Sequence, residues 1–415
     1  AGPPPDDAVK TAVAAAEEAA RPLIDTGFHG GAVITVPDDH GTIQAAIDAA
    51  AAGDSVLVRA GTYHELIVMK DGVKLVSDSS GDGDELVAVR GARLRLPRRA
   101  LRTIIDGSRA KPSEHGMIDF LGGVGRRTIV DGFTIQELPA QNHHEPGHAH
   151  GLNVRGASPV IMNCHIRANG STGIGNHVVY NDQKSPIGKR DFRWENIKHQ
   201  ASAVIYRNII RDNLGLGVGC NHFSTPFILG NEIFNNDDAA LGEQPSPGVG
   251  AQHGAAPTIV GNIVHDNPGG GLLCKLGSSQ GAHPIDRPTH AVVTRNVVYK
   301  NGSARPAIAS QGGGSREMPI RFIQNFVYSS KVVGVALSDQ AVGVIEANVV
   351  SDCDWAGIAV NGSTVLKLNR NQVTRTKAPG FVIAMGAVVH EMIGNAADST
   401  QGPRFLLRDS TVHGE

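Results

Sequence analysis

The sequence predicts an all-β fold, a single-stranded right-handed parallel β-helix, in which one chain winds through coils that stack into a solenoid. A short phrase occurs three times, as RNIIRDN at 207–213, GNEIFNN at 230–236 and GNIVHDN at 261–267. A glycine-rich run and a short apolar strand follow each copy. Self-similarity at a period of roughly 20 to 50 residues is the sequence signature of repeat architectures. The three copies therefore predict successive coils of one solenoid.

A turn asparagine followed by apolar residues marks the coils. It occurs at Asn163, Asn208, Asn231, Asn262, Asn296, Asn325, Asn348 and Asn371. The shortest spacing, 23 residues, predicts the length of a coil without an inserted loop. Asparagine suits a turn because it tolerates left-handed backbone geometry, and stacked side-chain amides can bond along the solenoid axis. Apolar residues alternate within the coils, so one face of each strand should fill the core.

Three parts are predicted along the chain. Residues 1–31 form an N-terminal helical segment, because apolar residues recur at helical spacing through DDAVKTAVAAAEEAA. Residues 32–390 form the β-helix, with a capping helix at about 42–53 that covers core and strand edges at the first coil. Residues 391–415 lack the coil pattern and are expected to form a C-terminal cap or a tail.

Long inserts are expected beside one sheet, where they would form the walls of a cleft. They lie at 138–150, 180–202, 237–247 and 276–290. A separate insert at 79–102 holds six arginines and is expected to be a solvated basic loop.

Composition excludes several classes of partner. Lys and Arg number 38 and Asp and Glu 40, so the formal net charge is −2 and nothing global favours nucleic acid or a membrane surface. No apolar run approaches the roughly 18 residues that a bilayer span needs. No nucleotide or organic cofactor is expected. Cys220 and Cys274 occupy strand positions that should point inward, which predicts buried free thiols.

The segment that leads into the first coil carries a family resemblance. The run TIQAAIDAAAAGDSVLVRAGTYHE (42–65), followed by VKLVSD and by TIIDG (103–107), resembles the pectate-lyase-like superfamily. That group includes pectin esterases, polysaccharide lyases, uronate epimerases and periplasmic β-helix accessory proteins. The resemblance covers about residues 32–390 and implies the fold, while activity in such families depends on the site. The chain opens with AGPPPDD, and we expect an exported protein, periplasmic or extracellular, whose signal peptide has been removed.

A column of histidines is the most specific chemical feature. The pairs Asn176-His177, Asn221-His222 and Gln252-His253 occur near the ends of corresponding strands. The side chains expected to face outward on this sheet are Arg155, His177, Asn221 or His222, Gln252 or His253, Lys275, Gln311, Ser338 or Asp339, and Asn361. Counting from the preceding glycine places the amides outward, whereas counting from the histidines places the imidazoles there. A shift of one residue exchanges the two faces of a strand.

One interpretation of this column is a metal site. Adjacent coils lie about 4.8 Å apart, so His177, His222 and His253 could converge on one divalent ion at about 2.0–2.1 Å. Copper or zinc suits three imidazoles with an open position. His148 and His150, one coil earlier, could supplement them. Without a metal, the same column would be a ladder of histidines that bond one another or water.

A second interpretation is a groove for an acidic glycan. Arg155 and Lys275 could neutralise uronate carboxylates, and His177, His222, His253 or Lys275 could take the proton next to the carboxylate. Residues expected to contact the substrate are Asn221, Gln252, Tyr180, Trp194 and Asp238.

Three functions follow from these interpretations. The leading hypothesis is an exported carbohydrate-active enzyme that acts on an acidic polysaccharide by β-elimination or epimerisation. The second is a metal-dependent β-helix protein, either an enzyme or a periplasmic metal-handling accessory protein. The third is a structural or adhesive solenoid. The partner is accordingly a polymeric or small-molecule substrate, and the only cofactor considered is a divalent copper or zinc ion.

Overall fold

A computed structural model describes residues 5–24, 30–80, 85–89, 91–111, 116–140, 150–182, 191–237, 245–276, 287–302 and 305–413. Within these residues the chain is a right-handed parallel β-helix, as predicted, whose strands stack into three long sheets, here named A, B and C. Each coil contributes one strand to A, then one to B, then one to C. No helix in the described part of the chain combines the length and apolarity needed to cross a membrane.

The three sheets are parallel throughout their length. Sheet A consists of Val33–Val36, Ser55–Val58, Lys74–Ser77, Ile129–Asp131, Val160–Met162, Val204–Tyr206, Phe227–Leu229, Thr258–Val260, Val292–Thr294, Ile320–Ile323, Val342–Glu346, Thr364–Asn369, Val388–Val389, Met392–Ile393 and Thr411–Val412. Sheet B consists of Gly61–Tyr63, Thr103–Asp106, Thr134–Gln136, His165–Arg167, Ile209–Arg211, Glu232–Phe234, Ile263–His265, Val297–Tyr299, Phe326–Tyr328, Val349–Ser351, Gln372–Thr374 and Ala396–Asp398. Sheet C consists of Ile67–Val68, Ile118–Phe120, Leu152–Arg155, Ile174–His177, Val218–Asn221, Val249–Ala251, Leu272–Lys275, Ile308–Gln311, Val335–Ser338, Ile358–Asn361, Phe381–Ala384 and Phe405–Leu407.

Two ladders of buried asparagines hold the coils in register. In each ladder the Nδ2 of one asparagine donates to the Oδ1 of the asparagine one coil later. The first ladder comprises Asn208, Asn231, Asn262, Asn296, Asn325, Asn348, Asn371 and Asn395. The second, which the sequence analysis overlooked, comprises Asn169, Asn213, Asn236, Asn267 and Asn301. These amides satisfy buried backbone groups at the turns as well as each other.

The position of Asn163 corrects the predicted pattern. Asn163 lies one residue before the ladder position, where the Cys164 amide donates to the Asn208 Oδ1 at 3.0 Å. Asn163 and Arg207 both have φ 53°, so the left-handed residue precedes the ladder residue in each coil. The ladder asparagines are therefore used for their stacked amides, not for a left-handed backbone.

Helix α1, Asp6–Ala20, lies along the outside of the coils. Ala15, Ala16 and Ala20 pack against sheet A, and Ala12 packs against sheet B. The contact is close, because a Cβ on Gly261 would lie 2.1 Å from the Ala12 carbonyl oxygen. The N-terminal helix is therefore a brace on the side of the solenoid, and it does not cover its end.

Helix α2, Ile43–Ala49, is the predicted cap. The Thr42 side chain accepts a hydrogen bond from the Ala45 amide at 3.2 Å, which satisfies one free N–H of the first turn. Ile43 and Ile47 are fully buried on the core of the first coil. The helix is shorter than the predicted span of 42–53, since the chain leaves helical geometry at Ala50.

The insert expected to be a solvated basic loop instead covers sheet B. It contains the hairpin Leu86–Ala88 with Arg95–Pro97 and the short helix α3, Arg98–Arg102. Leu94, Leu96 and Ala100 pack onto the outer face of sheet B. Arg99 is buried and its Nη2 lies 2.8 Å from the Asp131 Oδ2.

A buried carboxylate fastens this insert. Glu232 is fully buried in sheet B, and its Oε2 accepts hydrogen bonds from the Arg93 and Leu94 amides, both at 2.5 Å. Its Oε1 lies 3.0 Å from the His265 Nε2, and the His265 Nδ1 lies 2.7 Å from Asp266. Burial opposes protonation of His265, but the hydrogen bonds to Asp266 and Glu232 outweigh it and raise the pKa above its ordinary value.

The C-terminal segment differs from the expected cap or tail. Strands Met392–Ile393, Ala396–Asp398, Phe405–Leu407 and Thr411–Val412 continue all three sheets. Asn395 also continues the first asparagine ladder, 24 residues after Asn371. The solenoid therefore extends at least to Val412.

Candidate functional site

The outer face of sheet C carries the predicted line of polar side chains. Strand pairing aligns Arg155 with His177, His177 with Asn221, and Lys275 with Gln311 and Ser338. The polar column is the set Arg155, His177, Asn221, Gln252, Lys275, Gln311, Ser338 and Asn361. Every member is half-buried, and the surface along this column is here called the groove.

A column of glycines sets this register. A Cβ on Gly173 would lie 2.7 Å from the Gly217 carbonyl oxygen, and a Cβ on Gly217 would lie 2.7 Å from that of Gly248. Only glycine permits so close an approach between coils. Counting from the glycine therefore gives the correct register, and the amides face outward, Asn221 as the last residue of its strand and Gln252 directly after Val249–Ala251.

The three amide–histidine pairs are consequently not equivalent. Asn176 points into the core, where its Nδ2 donates to the Gly219 carbonyl at 3.1 Å. His177 takes the outward position that Asn221 occupies one coil later. His222 and His253 follow the strand position by one residue and stand in the turn beside the column.

That turn has a left-handed backbone. φ is 49° at His222 and 56° at His253, while Gly156, Gly312 and Gly362 occupy the corresponding place in other coils with φ of 63°, 72° and 56°. A left-handed conformation costs a non-glycine residue roughly 1–2 kcal/mol. Asp339 and Met385 also stand at this place, with φ of 58° and 59°, so the turn accepts residues other than glycine, and histidine fills it in two adjacent coils.

The imidazoles form two stacked pairs and not a single column of three. The His222 and His253 ring centroids lie 4.8 Å apart with 11° between the ring planes. The ring of His177 stacks instead on His150, at 5.7 Å and 10°. His150 reaches it across Gly175, where a Cβ would lie 2.4 Å from the His150 ring.

These pairs do not by themselves fit a three-histidine metal site. Nearly parallel rings direct their in-plane lone pairs side by side, so stacked imidazoles do not converge on one ion at about 2.0–2.1 Å. Among the described residues, no group of three or more histidine, cysteine, aspartate or glutamate side chains is placed to hold a metal ion. His148 lies outside the described residues, so copper or zinc binding stays a prediction.

One wall of the groove comes from the insert at 180–202. Its described parts form a hairpin of Val179–Tyr180 with Ile197–His199 and a 3₁₀ turn at Trp194–Asn196. Phe192 stacks on His222, with ring centroids 5.3 Å apart and 27° between planes. The insert therefore supports the stacked pair of His222 and His253.

Tyr180 and Trp194 differ from the open sugar contacts that the sequence suggested. Tyr180 is only 3% exposed and packs edge-on against Phe192 at 5.3 Å and His222 at 6.3 Å. The Arg287 guanidinium covers the Trp194 ring at 4.2 Å from its centroid. Both aromatic rings therefore build the wall. Asp238, the remaining predicted contact, lies outside the described residues.

His253 is the electrostatically distinctive member of the site. Burial lowers its pKa below the ordinary value for histidine, because the charged form loses hydration. Its Nδ1 is buried and has no hydrogen-bond partner among the described residues. The ring is therefore uncharged at neutral pH.

The thiols beneath the groove are buried and free, as predicted. Cys220 and Cys274 point into the core as free, buried cysteines. Burial raises the pKa of both thiols, that of Cys274 to about 12, so neither is a nucleophile near neutral pH.

Comparison with known proteins supports the fold. The family described as right handed beta helix region matches residues 130–284. The Dettilon tailspike protein superimposes with a TM-score of 0.51 and 13% identity, covering 90% of this chain and 68% of its own. The catalytic domain of a GH87 α-1,3-glucanase gives 0.50 and 10%, covering 93% of this chain and 70% of its own.

The A-module of the Azotobacter vinelandii mannuronan C-5 epimerase AlgE4 gives a TM-score of 0.41 and 13% identity, covering 90% of this chain and 95% of its own. A sequence comparison with curated proteins finds no match. At identities this low the likeness shows the fold alone, and the predicted right-handed parallel β-helix is confirmed.

Proposed function

We propose that this protein is an exported carbohydrate-active enzyme that acts on an acidic polysaccharide by β-elimination or epimerisation in the groove on sheet C. The observation that carries the proposal is the part of the polar column from Arg155 to Lys275, which has a cation at each end and lies beside a neutral, half-buried His253. Of the three sheets, C is the one whose outer face neither α1 nor the 85–102 insert covers. Localisation in the periplasm or outside the cell belongs to the same proposal, since polymeric acidic glycans are met there.

Both reactions begin with the same chemical step. A base removes the proton on the carbon next to the uronate carboxylate, and the electron pair is delocalised into that carboxylate. A cation beside the carboxylate stabilises the charge that develops. In elimination the bond to the neighbouring glycosidic oxygen then breaks, and that oxygen takes a proton. In epimerisation a proton returns to the opposite face of the same carbon.

The groove offers residues for each role. His253 is the base, because its lowered pKa keeps the imidazole neutral at neutral pH. Lys275, one coil further along, neutralises the carboxylate of the reacting uronate. Asn221 and Gln252 supply amide groups for sugar hydroxyls between the two ends of the groove.

Arg155 and His177 form a second pair of a cation and an imidazole, comparable to Lys275 and His253. They are direct neighbours on adjacent strands, about 4.8 Å apart along the axis. We assign Arg155 to a further carboxylate of the same chain, which would align the polymer along the solenoid. His222 orients His253 through the stacked contact at 4.8 Å.

The test is a panel of uronate polymers incubated with the purified protein, with detection of unsaturated ends and of altered C5 configuration. We expect one of these products, and we expect His253→Gln to abolish it. The matched control is His390→Gln, because His390 and His413 form another stacked pair, at 6.0 Å, at the ends of sheet A strands. Absence of product on every polymer would refute the proposal.

A metal-dependent function is the second candidate. It is favoured by the histidine-rich loop that ends at His150, whose ring stacks on His177 at 5.7 Å. Elemental analysis after loading with copper or zinc tests it, because stoichiometric metal should be lost when His177, His222 and His253 are all changed to Ala. Metal that survives this triple change, or no metal at all, would eliminate this candidate.

A further inference from the structure

Two long inserts border the turns that carry the stacked histidines. The insert at 180–202 leaves sheet C one coil before the turn of His222, and the insert at 276–290 leaves it one coil after the turn of His253. Both inserts occupy the connection from sheet C to sheet A, which is a short turn in the two coils between them. The two short turns therefore lie between two long inserts.

The inserts meet across these short turns. Trp194 belongs to the first insert and Arg287 to the second, and the Arg287 Cζ lies 4.2 Å from the centroid of the Trp194 ring. The coils that carry the two inserts are three coils apart, roughly 14 Å along the axis. The Trp194 ring also packs edge-on against Phe223, the residue after His222, at 5.8 Å. The contact of Arg287 with Trp194 thus spans the coils of both histidines.

The main chain of Arg287 lies against the turn of His253. A Cβ on Gly254, the residue directly after His253, would lie 3.1 Å from the Arg287 carbonyl oxygen. The Gly254 amide donates to the Thr289 Oγ1 at 3.0 Å, which holds the same segment in place. Arg287 is therefore anchored beside His253 by its main chain, while Trp194 contacts its side chain.

The guanidinium of Arg287 differs from others in the wall. Arg287 is half-buried, and no carboxylate among the described residues pairs with it. Arg193, which directly precedes Trp194, has acidic partners, since its guanidinium lies 2.6 Å from Asp191 and 2.6 Å from Glu195. A cation–π contact holds a guanidinium while leaving its planar fork of N–H donors available, and that fork matches a carboxylate.

We infer that Arg287 binds a uronate carboxylate beside the stacked histidines, and that Trp194 is a positioning residue for its guanidinium. The inference rests on the proposed glycan function and deepens it. Arg155 and Lys275 are each assigned one carboxylate, so a third cation on the wall names the substrate as a polymer with several uronates close together. A polymer with isolated uronates would not occupy all three cations.

The experiment measures binding of oligouronates and needs no turnover. Calorimetry with oligomers of galacturonate, mannuronate and guluronate should detect binding that weakens as salt is added. Arg287→Gln should weaken it about 10-fold or more, because a bidentate ion pair is lost. Arg287→Lys should recover only part of this loss, since an ammonium group is a point charge without the planar fork.

Fluorescence reports on the same contact. The chain has two tryptophans, so Trp194 is the only indole in a Trp355→Phe variant. Binding of the oligouronate should change its emission, and Arg287→Gln in the same background should abolish that change. Trp194→Leu should weaken binding less than Arg287→Gln does, because the cation remains while its support is lost.

Two controls separate recognition of charge from a structural effect. Arg193→Gln should bind as the unaltered protein does, since Arg193 already pairs with carboxylates of its own insert. The same oligomers with their carboxyl groups reduced to alcohols should bind equally to the unaltered protein and to Arg287→Gln. An equal loss for the reduced oligomers would show that Arg287 is structural and would refute the inference.

The outcomes distinguish this inference from the proposed reaction. If no oligouronate binds, or if Arg287→Gln binds as tightly as Arg193→Gln, binding of a uronate by Arg287 is refuted. An oligouronate that binds through Arg287 while no polymer yields a product would refute only the reaction. A product formed by a protein whose binding does not depend on Arg287 would refute only this inference.

Discussion

At the residue scale, two histidines occupy backbone positions that suit glycine. His222 and His253 have positive φ, and the same turn position holds glycine in three other coils and Asp339 and Met385 in two more. The stacked imidazoles recover part of the cost, since a ring pair contributes roughly 0.5–1.5 kcal/mol.

This account predicts that stability and activity separate at His253. In His253→Gly the released backbone strain, about 1–2 kcal/mol, should roughly offset the lost stacking. Chemical denaturation should therefore give a free energy of unfolding within about 1 kcal/mol of the original, while turnover of the responsive polymer disappears. A loss of several kcal/mol with activity retained would show that the imidazole is structural.

The pH dependence of the reaction follows from the lowered pKa of His253. The base must be neutral, and burial shifts its protonation below the ordinary histidine value of about 6.5. As pH falls, kcat/KM should stay high through that value and decline only in more acidic solution. Titration of the ring by NMR checks the same pKa without substrate. If kcat/KM already declines at a pH above the ordinary histidine pKa, the assignment of His253 as the base is contradicted.

At the element scale, the asparagine ladders and the Glu232 contact connect parts of the chain that are distant in sequence. The predicted spacing of turn asparagines came from repetition, and the ladder explains that spacing physically. The insert at 79–102 was not predictable as a cover, because its arginines indicated solvent exposure while its docking depends on Leu94, Leu96 and the carboxylate of Glu232. Glu232 lies more than 130 residues from the amides it binds, with 139 residues to Arg93.

Replacing an asparagine in the middle of the first ladder should lower the free energy of unfolding. Asn262→Ala removes amide bonds to Asn231, Asn296 and the Ile228 carbonyl, so it should cost about 1–3 kcal/mol of unfolding free energy. The matched control is Ala347→Gly, at the left-handed position just before the ladder residue Asn348, which should cost about 1 kcal/mol or less because glycine adopts that φ freely. Equal losses would mean that the stacked amides contribute little.

The Glu232–His265–Asp266 contact predicts a pH-dependent stability. The folded pKa of His265 is raised, so its stabilising contribution is complete below the ordinary histidine value and is lost as pH rises through the raised pKa. Denaturation midpoints should fall as the pH rises from the ordinary histidine pKa through the raised pKa of His265, and His265→Gln should abolish this fall. Glu232→Gln should cost about 3–5 kcal/mol, because it leaves a buried network without one partner. A midpoint that rises with pH in the same window would contradict the assignment.

At the scale of the whole molecule, repetition made the fold and the line of outward side chains predictable. The sequence also left open whether the amides or the histidines face outward on sheet C. The glycines decide this register, because only one alignment of the strands lets the coils approach so closely at the glycines. The arrangement of the rings was not predictable, since His150 reaches His177 across Gly175 from a turn of the preceding coil. The C-terminal coils were overlooked because their apolar pattern is short, although Asn395 was a signal for them.

The account as a whole claims that the groove removes the proton next to a uronate carboxylate. The most direct measurement is NMR of the uronate H-5 signals while polymers are incubated with the protein in deuterated water. Both elimination and epimerisation should reduce the H-5 signal on at least one polymer, and His253→Gln should leave it intact. An H-5 signal that persists on every uronate polymer with the unaltered, folded protein would contradict the account.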